Sequence, residues 1–363
     1  MVRKGVLSEE SLVIMKTKIV RLNEQQIDMQ TIEEAGRIIR EGGLVAFPTE
    51  TVYGLGGDAL NASSSGKIYA AKGRPSDNPL IIHIADMEAL SGIVKEIPDA
   101  AHKLAEKFWP GPLTMIFKKA ECVPLETTGG LSTVAVRMPS SRIARELIKA
   151  SGGYVAAPSA NLSGRPSPTL ARYVIQDMDG RIDMILDGGE ADIGLESTII
   201  DLTGEEPMIL RPGYITEEML KNTIGKIDVD RTIIEGNSKQ APKAPGMKYR
   251  HYAPKGSLTI VEGSSKAVTE YIERRLSECA KQGRKTGVIA TDETVEKYNA
   301  DSVKSAGSRR DEEQIARHLF RILREFDDEE IEVMYAESFE SKGVGQAIMN
   351  RLLKAAGHQI IKV

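Results

Sequence analysis

Hydrophobic positions along this chain alternate between two spacings. Over residues 31–42, Ile32, Ala35, Ile38 and Ile39 recur at helical intervals, Thr31 and Glu34 stand as a capping box, and Gly42 ends the run, which predicts a helix. Short aliphatic runs follow, and strands are expected over residues 44–47, 80–84, 113–117, 133–138, 154–157, 184–186 and 198–202. Residues 99–108 and 142–150 carry clear helical patterns, while Gly/Pro/Ser loops join other strands. The expected architecture is a mixed α/β sheet with helices. Beyond residue 235 the pattern breaks: residues 236–255 hold Pro242, Pro245 and Pro254 among scattered apolar positions, as a linker would. Strands over 258–261, 287–290 and 331–336 then alternate with helices over 266–281, 312–326 and 343–356. That order predicts a smaller parallel, Rossmann-like α/β sheet. In the helix over 312–326, Ile315, Leu319, Ile322, Leu323 and Phe326 form one stripe, as packing on a sheet requires. The expected division is a first unit over 1–235 with its core at about 28–215, a linker or lid over 236–255, and a second unit over 256–363.

Composition narrows the class. With 41% hydrophobic and 28% charged residues in 363, the chain is globular in character. The apolar run at residues 12–15 is too short for a secretory signal, so a cytoplasmic location is expected. Residues 1–14 show little pattern, which makes Met15 a candidate start. Cys122 and Cys279 have neither disulfide-framework nor metal-knuckle spacing. A net charge of -4 means that any nucleic-acid role would need a local basic patch, whereas a small anion needs only a few cations.

Several segments place reactive side chains at strand ends, where α/β proteins bind ligands. The run Pro48-Thr49-Glu50-Thr51-Val52-Tyr53-Gly54-Leu55-Gly56-Gly57 leaves a strand with hydroxyls, a carboxylate and glycines, and reads by itself as a tight glycine turn or a binding loop. Gly54-x-Gly56-x-x-Ala59 satisfies the dinucleotide expression, but no acidic residue closes a second strand at the required distance. Lys72 and Arg74 straddle Gly73, so both could converge on one anion or lie in solvent. His83 sits in an otherwise aliphatic strand and faces either a core niche or a ligand. The period of two in residues 133–138 puts Thr133, Ala135 and Arg137 on one face and Val134, Val136 and Met138 on the other. An arginine so placed needs an anion, either an internal carboxylate or a ligand. The stretch Ala157-Pro158-Ser159-Ala160-Asn161-Leu162-Ser163-Gly164 lacks the nucleophile-elbow pattern, so serine-nucleophile chemistry is not expected. Residues 243–254 contain Lys, Tyr, Arg and His side chains in a density that suits a lid better than a spacer.

Taken in order, the blocks Pro-Thr-Glu-Thr-Val-Tyr-Gly-Leu, Lys-Gly-Arg-Pro, Pro-Leu-Ile-Ile-His-Ile, Phe-Trp-Pro-Gly-Pro-Leu-Thr, Val-Arg-Met-Pro, Ala-Pro-Ser-Ala-Asn-Leu-Ser-Gly, Ser-Thr-Ile-Ile-Asp and Leu-Arg-Pro-Gly resemble the Sua5/YrdC/YwlC family of threonylcarbamoyl-AMP synthases. The linker run Pro-Gly-Met-Lys-Tyr-Arg-His-Tyr-Ala-Pro resembles its two-domain Sua5 form. The resemblance implies a nucleotidyltransferase with a YrdC-like twisted mixed sheet, taking L-threonine, bicarbonate and ATP with Mg²⁺ as cofactor and releasing diphosphate. The product would feed tRNA modification to t⁶A at position 37 through separate threonylcarbamoyl transferase proteins, with no membrane and no stable nucleic-acid complex. Carried over by motif, Thr51, His83, Arg137 and Ser197 would bind L-threonine, with Arg137 on the carboxylate. Lys72, Arg74, Asn78, Thr133, Ala157, Ser159, Ser167 and Arg211 would bind ATP, and Pro245, Gly246, Met247, Lys248 and Tyr249 would form the lid. No dedicated catalytic acid or base is implied. The alternatives are an RNA-binding module of the same fold and a carbamoyl transferase, whose zinc-binding cysteines this chain lacks.

Overall fold

The computed structural model describes residues 16–230 and 251–363, so Met15 and the lid residues Pro245 to Tyr249 lie outside the described residues. The first unit runs β1 (Lys18–Arg21), α1 (Met29–Arg40), β2 (Val45–Phe47), β3 (Gly54–Asp58), α2 (Ala62–Lys72), β4 (Ile81–His83) and α3 (Asp99–Phe108). It continues through β5 (Leu113–Lys118), β6 (Thr133–Arg137), α4 (Arg142–Ala150), β7 (Val155–Ala156), α5 (Ala171–Met178) and β8 (Met184–Asp187). It closes with β9 (Thr198–Asp201), β10 (Met208–Arg211), α6 (Glu217–Ile224) and β11 (Asp228–Val229). These strands form one mixed sheet in the order β1-β8-β2-β3-β7-β4-β6-β5-β9-β10-β11. The second unit comprises β12 (Ser257–Glu262), α7 (Ser265–Lys281), β13 (Thr286–Ala290), β14 (Ser302–Ser305), α8 (Glu312–Asp328), β15 (Val333–Glu337), α9 (Gly343–Ala355) and β16 (Ile360–Lys362). All of its pairings are parallel, in the order β14-β13-β15-β12-β16.

Two elements depart from the sequence expectation for identifiable reasons. Helix α1 is capped by Asp28, which accepts from the Gln30 amide at 3.0 Å. The Thr31 hydroxyl donates to the second oxygen of Asp28 at 2.7 Å and Glu34 pairs with Lys18, so the predicted capping box does not form. The glycine run, read as a possible tight turn, is strand β3, antiparallel to β2 and β7. Its glycines answer to close packing: a Cβ at Gly56 would meet Val155 Cγ1 at 2.8 Å and Phe47 Cε1 at 2.9 Å. Strands β1, β11, β14 and β16 and helices α2, α5 and α6 were also not expected from the hydrophobic pattern, being short or mixed in polarity.

The period of two in β6 holds as read. Val134, Val136 and Met138 pack in the main core, while Ala135 joins Ile81, Ile116, Ile199 and Leu210 in a small apolar cluster on the other face. The two units meet over α8 and α9. Val52 and Leu195 of the first unit are buried among apolar residues of the second, including Ile315 and Phe320. The loop at Gly194 runs so close to α8 that an added Cβ would lie 2.4 Å from the Arg317 Cα. Two fully buried arginines also cross the junction: Arg324 reaches Asp177 at 2.6 Å and Arg351 reaches Glu196 at 2.9 Å.

Candidate active site

Strand ends from across the large sheet converge on one narrow cleft, with a cavity volume of about 60 Å³. Thr51 enters from the turn after β2, His83 and Arg137 from the paired ends of β4 and β6, Ala157 from the end of β7, Ser197 from the start of β9 and Arg211 from the end of β10. Lys72 arrives on the last turn of α2, where Gly73 at φ 60 reverses the chain and lets Arg74 follow into the same cleft.

At one end Arg137 is buried and fixed on three sides. Its Nη1 donates to Thr51 Oγ1 at 2.8 Å, its Nε to the Gly111 carbonyl at 3.3 Å, and Nη2 lies 2.7 Å from Glu50 Oε1. Thr49 donates its hydroxyl to the Val52 carbonyl at 2.6 Å, which leaves Thr51 to donate to Thr49 Oγ1 at 2.9 Å and to accept from Arg137. His83 beside them has Nδ1 3.2 Å from the Ile81 carbonyl. A carbonyl can only accept, so Nδ1 carries the proton. Burial, reinforced by the Arg137 charge, pushes the His83 pKa down to about 3, so the imidazole is neutral at physiological pH.

At the other end, among the described residues, Lys72 has no carboxylate on its ammonium. It donates to the Ser159 and Asn161 carbonyls, and burial together with neighbouring Arg74 holds its pKa well below the usual lysine value. Arg74 donates to the Asn78 and Pro79 carbonyls at 3.2 and 3.1 Å, and burial brings its pKa down to about 10. Arg211 stands between the ends. Its Nε and Nη2 donate to the carbonyl and hydroxyl of Ser197 at 3.0 and 3.1 Å, and its pKa, lowered to about 10 chiefly by burial, registers Arg137 as well. The arrangement is an electropositive trough with an apolar floor at Ile81, Ala157 and Pro158, suited to a small carboxylate, a polyphosphate and a flat base.

All four residues expected for threonine, Thr51, His83, Arg137 and Ser197, line this cleft. Of the eight expected for ATP, Lys72, Arg74, Ala157, Ser159, Ser167 and Arg211 line it, whereas Asn78 and Thr133 do not. Asn78 lies just behind Arg74 and holds it through its carbonyl, and Thr133 pairs with Lys118 at the far end of β6 from Arg137. The motif reading left out Asn161, Glu196, His251 and Tyr252, which also line the cleft. Asn161 was visible in its Ser-x-Asn block, and His251-Tyr252 in the aromatic, cationic linker run. Glu196 was visible beside Ser197, in a stretch that sets polar groups at a strand edge. Among the described residues no group of three or more His, Cys, Asp or Glu side chains is placed to hold a metal.

A family model described as Threonylcarbamoyl-AMP synthase, C-terminal domain, matches residues 215–357, and one described as Telomere recombination matches residues 37–213. A Pyrococcus abyssi protein named threonylcarbamoyl-AMP synthase is 50% identical over 347 residues, covering 96% of this chain and 100% of its own. The chain belongs to the two-domain Sua5 branch of the threonylcarbamoyl-AMP synthase family. A Bacillus subtilis synthase of the same name is 48% identical over 352 residues, again with 96% and 100% coverage. The crystal structure of P. abyssi Sua5 complexed with L-threonine superposes with a TM-score of 0.91 at 50% identity, covering 96% of this chain and 100% of that one. The synthase fold therefore extends over both sheets. Among the described residues no helix is long and apolar enough to cross a membrane.

Proposed function

We propose that this cleft joins L-threonine, bicarbonate and ATP into threonylcarbamoyl-AMP, with diphosphate and water released. The observation that carries the reading is that one cleft gathers Arg137, Thr51, His83 and Ser197 with Lys72, Arg74 and Arg211, and that Arg211 lies near enough to both Arg137 and Arg74 for their charges to act on one another. Family membership and the named relatives support it over an RNA-binding module.

In this reading the threonine carboxylate lies on Arg137 and its hydroxyl and amine face Thr51, His83 and Ser197. Bicarbonate gives up hydroxide to become CO₂; the neutral amine nitrogen attacks its carbon, forming the N–C bond of a carbamate as one C–O π pair moves onto oxygen, and the amine proton combines with that hydroxide as the released water. A carbamate oxygen then attacks the α-phosphorus of ATP, and the bond from that phosphorus to the bridging oxygen of the β-phosphate breaks, so diphosphate leaves. Both steps bring anions together, so the contribution required of the protein is charge neutralisation and proximity rather than a nucleophile. Lys72, Arg74 and Arg211 answer the triphosphate, and neutral His83 adds no charge that would compete with Arg137 for the carboxylate. The donors lining the cleft are mostly cations, hydroxyls and amides, which suits Mg²⁺ as an ion carried in on the nucleotide phosphates, MgATP being the substrate. The product would serve t⁶A37 formation on tRNA through separate transfer proteins, in the cytoplasm.

The test supplies purified full-length protein with ATP, Mg²⁺, L-threonine and ¹³C-bicarbonate. Diphosphate release that requires both threonine and bicarbonate, with a labelled threonylcarbamoyl-AMP peak in the mass spectrum, is the expected result. Binding of both ligands without turnover would reject the reading.

A further inference from the structure

The loop that follows β7 is fastened from two sides. Ser159, Asn161, Ser163, Gly164, Arg165 and Ser167 of this loop all line the cleft. Its first half is held from within the first unit: Lys72 donates to the Ser159 and Asn161 carbonyls, and Asn161 Nδ2 donates to the Leu162 and Arg165 carbonyls at 2.8 and 3.0 Å. Its second half is held from the second unit. Arg324, fully buried on α8, donates to the carbonyl of buried Pro166 from Nε at 3.0 Å and from Nη2 at 2.7 Å. The same guanidinium forks onto Asp177 of α5, Nη1 to Oδ1 at 3.1 Å and Nη2 to Oδ2 at 2.6 Å. Asp177 in turn accepts from the Leu162 amide at 3.1 Å and from the Arg165 guanidinium. Among the described residues no other group donates to the Pro166 carbonyl.

A buried carbonyl stripped of its donors costs free energy until the backbone turns to find another. At Pro166 such a turn carries its neighbours Arg165 and Ser167, the latter standing in the cleft with its hydroxyl 2.6 Å from Glu196. We propose that Arg324 is a positioning residue for ATP use: through the Pro166 carbonyl and Asp177 it sets where Arg165 and Ser167 stand. The proposal gives the second unit a part in the site, and it rests on the assignment of this loop to ATP. The residues assigned to threonine are fastened elsewhere, Thr51 to Arg137, His83 to the Ile81 carbonyl and Ser197 to Thr114. Electrostatics ties the pair to the cleft as well: burial and Arg74 hold the Lys72 pKa down, while Asp177 raises it and Arg324 lowers it further. Another cross-unit pair, Arg321 with Glu190 at 2.9 Å, shares none of this, since neither residue lines the cleft or touches the loop.

The test measures KM for ATP and for threonine in the full-length protein, with stability read by urea unfolding. Arg324→Met is expected to raise the ATP KM about tenfold and the threonine KM by less than about threefold, alongside a loss of stability. Adding Asp177→Asn removes the carboxylate left without Arg324 and keeps an oxygen for the Leu162 amide, so most of the stability is expected to return. The ATP KM is expected to stay raised in this double variant, because no donor has returned to the Pro166 carbonyl. A merely structural role would restore KM together with stability. Arg321→Ala, an interface control outside the cleft, is expected to keep both KM values at wild type. A folded Arg324→Met protein with an unchanged ATP KM overturns the proposal, and so does an ATP KM that returns to wild type in the double variant. If Arg324→Met does not fold, the double variant decides: a raised ATP KM supports the proposal and a wild-type value overturns it. Wild-type protein that makes no threonylcarbamoyl-AMP would instead reject the functional reading itself.

Discussion

Replacing His83 by asparagine is expected to make the protein less sensitive to acid. His83 is 4% exposed, and its pKa falls from 6.5 to about 3 through burial and the charge of Arg137 on the paired strand. The unfolded chain therefore takes up this proton as pH drops through about 6.5, while the folded chain resists until near pH 3. Stability from the neutral imidazole is intact above about pH 7 and is lost progressively as pH falls through that window. At pH 5 an unperturbed histidine is protonated about 30-fold over neutral, so the unfolded state gains about 2 kcal/mol relative to pH 7.5. The figure barely changes if the folded value lies anywhere below about 4. Urea unfolding at pH 7.5 and pH 5.0 measures it, and subtracting the asparagine variant from wild type removes the shared contribution of carboxylates. Wild type is expected to lose about 2 kcal/mol more than the variant on acidification. Equal losses, or a His83 Cε1 proton resonance that titrates near pH 6.5 in folded protein, would refute the reasoning.

Arg137→Ala removes the buried guanidinium proposed to take the threonine carboxylate and is expected to raise the threonine KM by one to two orders of magnitude, a loss of about 1.5–3 kcal/mol, with a smaller change for ATP in steady-state kinetics. Gly213→Ala would set a Cβ 2.4 Å from the Thr198 amide nitrogen at the start of β9. A stability loss of about 1–3 kcal/mol is expected in thermal melts, with activity falling because Ser197 and Arg211 flank the strained contact. Arg324→Ala strips a fully buried partner from Asp177 and from the Pro166 carbonyl, and about 3–5 kcal/mol of stability is expected to go with it in urea titrations. A loss below about 1 kcal/mol would show that Arg165, also paired with Asp177, suffices.

Where one periodicity dominates, the sequence is readable. Helices α3 and α4 begin and end where their apolar spacing does, and the alternation in β6 places Arg137 on the cleft face opposite the main core. Strand β3 was illegible because its composition, Gly-Leu-Gly-Gly-Asp, has little intrinsic preference for extended pairing. What makes it a strand is the nearness of Phe47, Val155, Leu44 and Ile68, which only the folded chain reveals. The cationic motifs announced themselves by type, yet Asn78 and Thr133 share those motifs and stand outside the cleft, since adjacency in a block does not fix which way a side chain turns. Arg324 and Arg351 were invisible for a related reason. A helix pattern shows an arginine as polar, hence solvent-facing, until a distant carboxylate such as Asp177 or Glu196 is known to lie opposite.

The junction between the two units joins apolar contacts with complete charge pairs, and this sets how the molecule comes apart. Domains meeting through a small polar surface usually melt separately. Here, departure of the second unit would take Arg351 from Glu196 and Arg324 from Asp177 and would turn Val52 and Leu195 toward water. Each half therefore carries a defect that the other repairs. The less durable half sets the lifetime of both, and a graft that exchanged the second unit between relatives would have to bring matching acidic residues in the first.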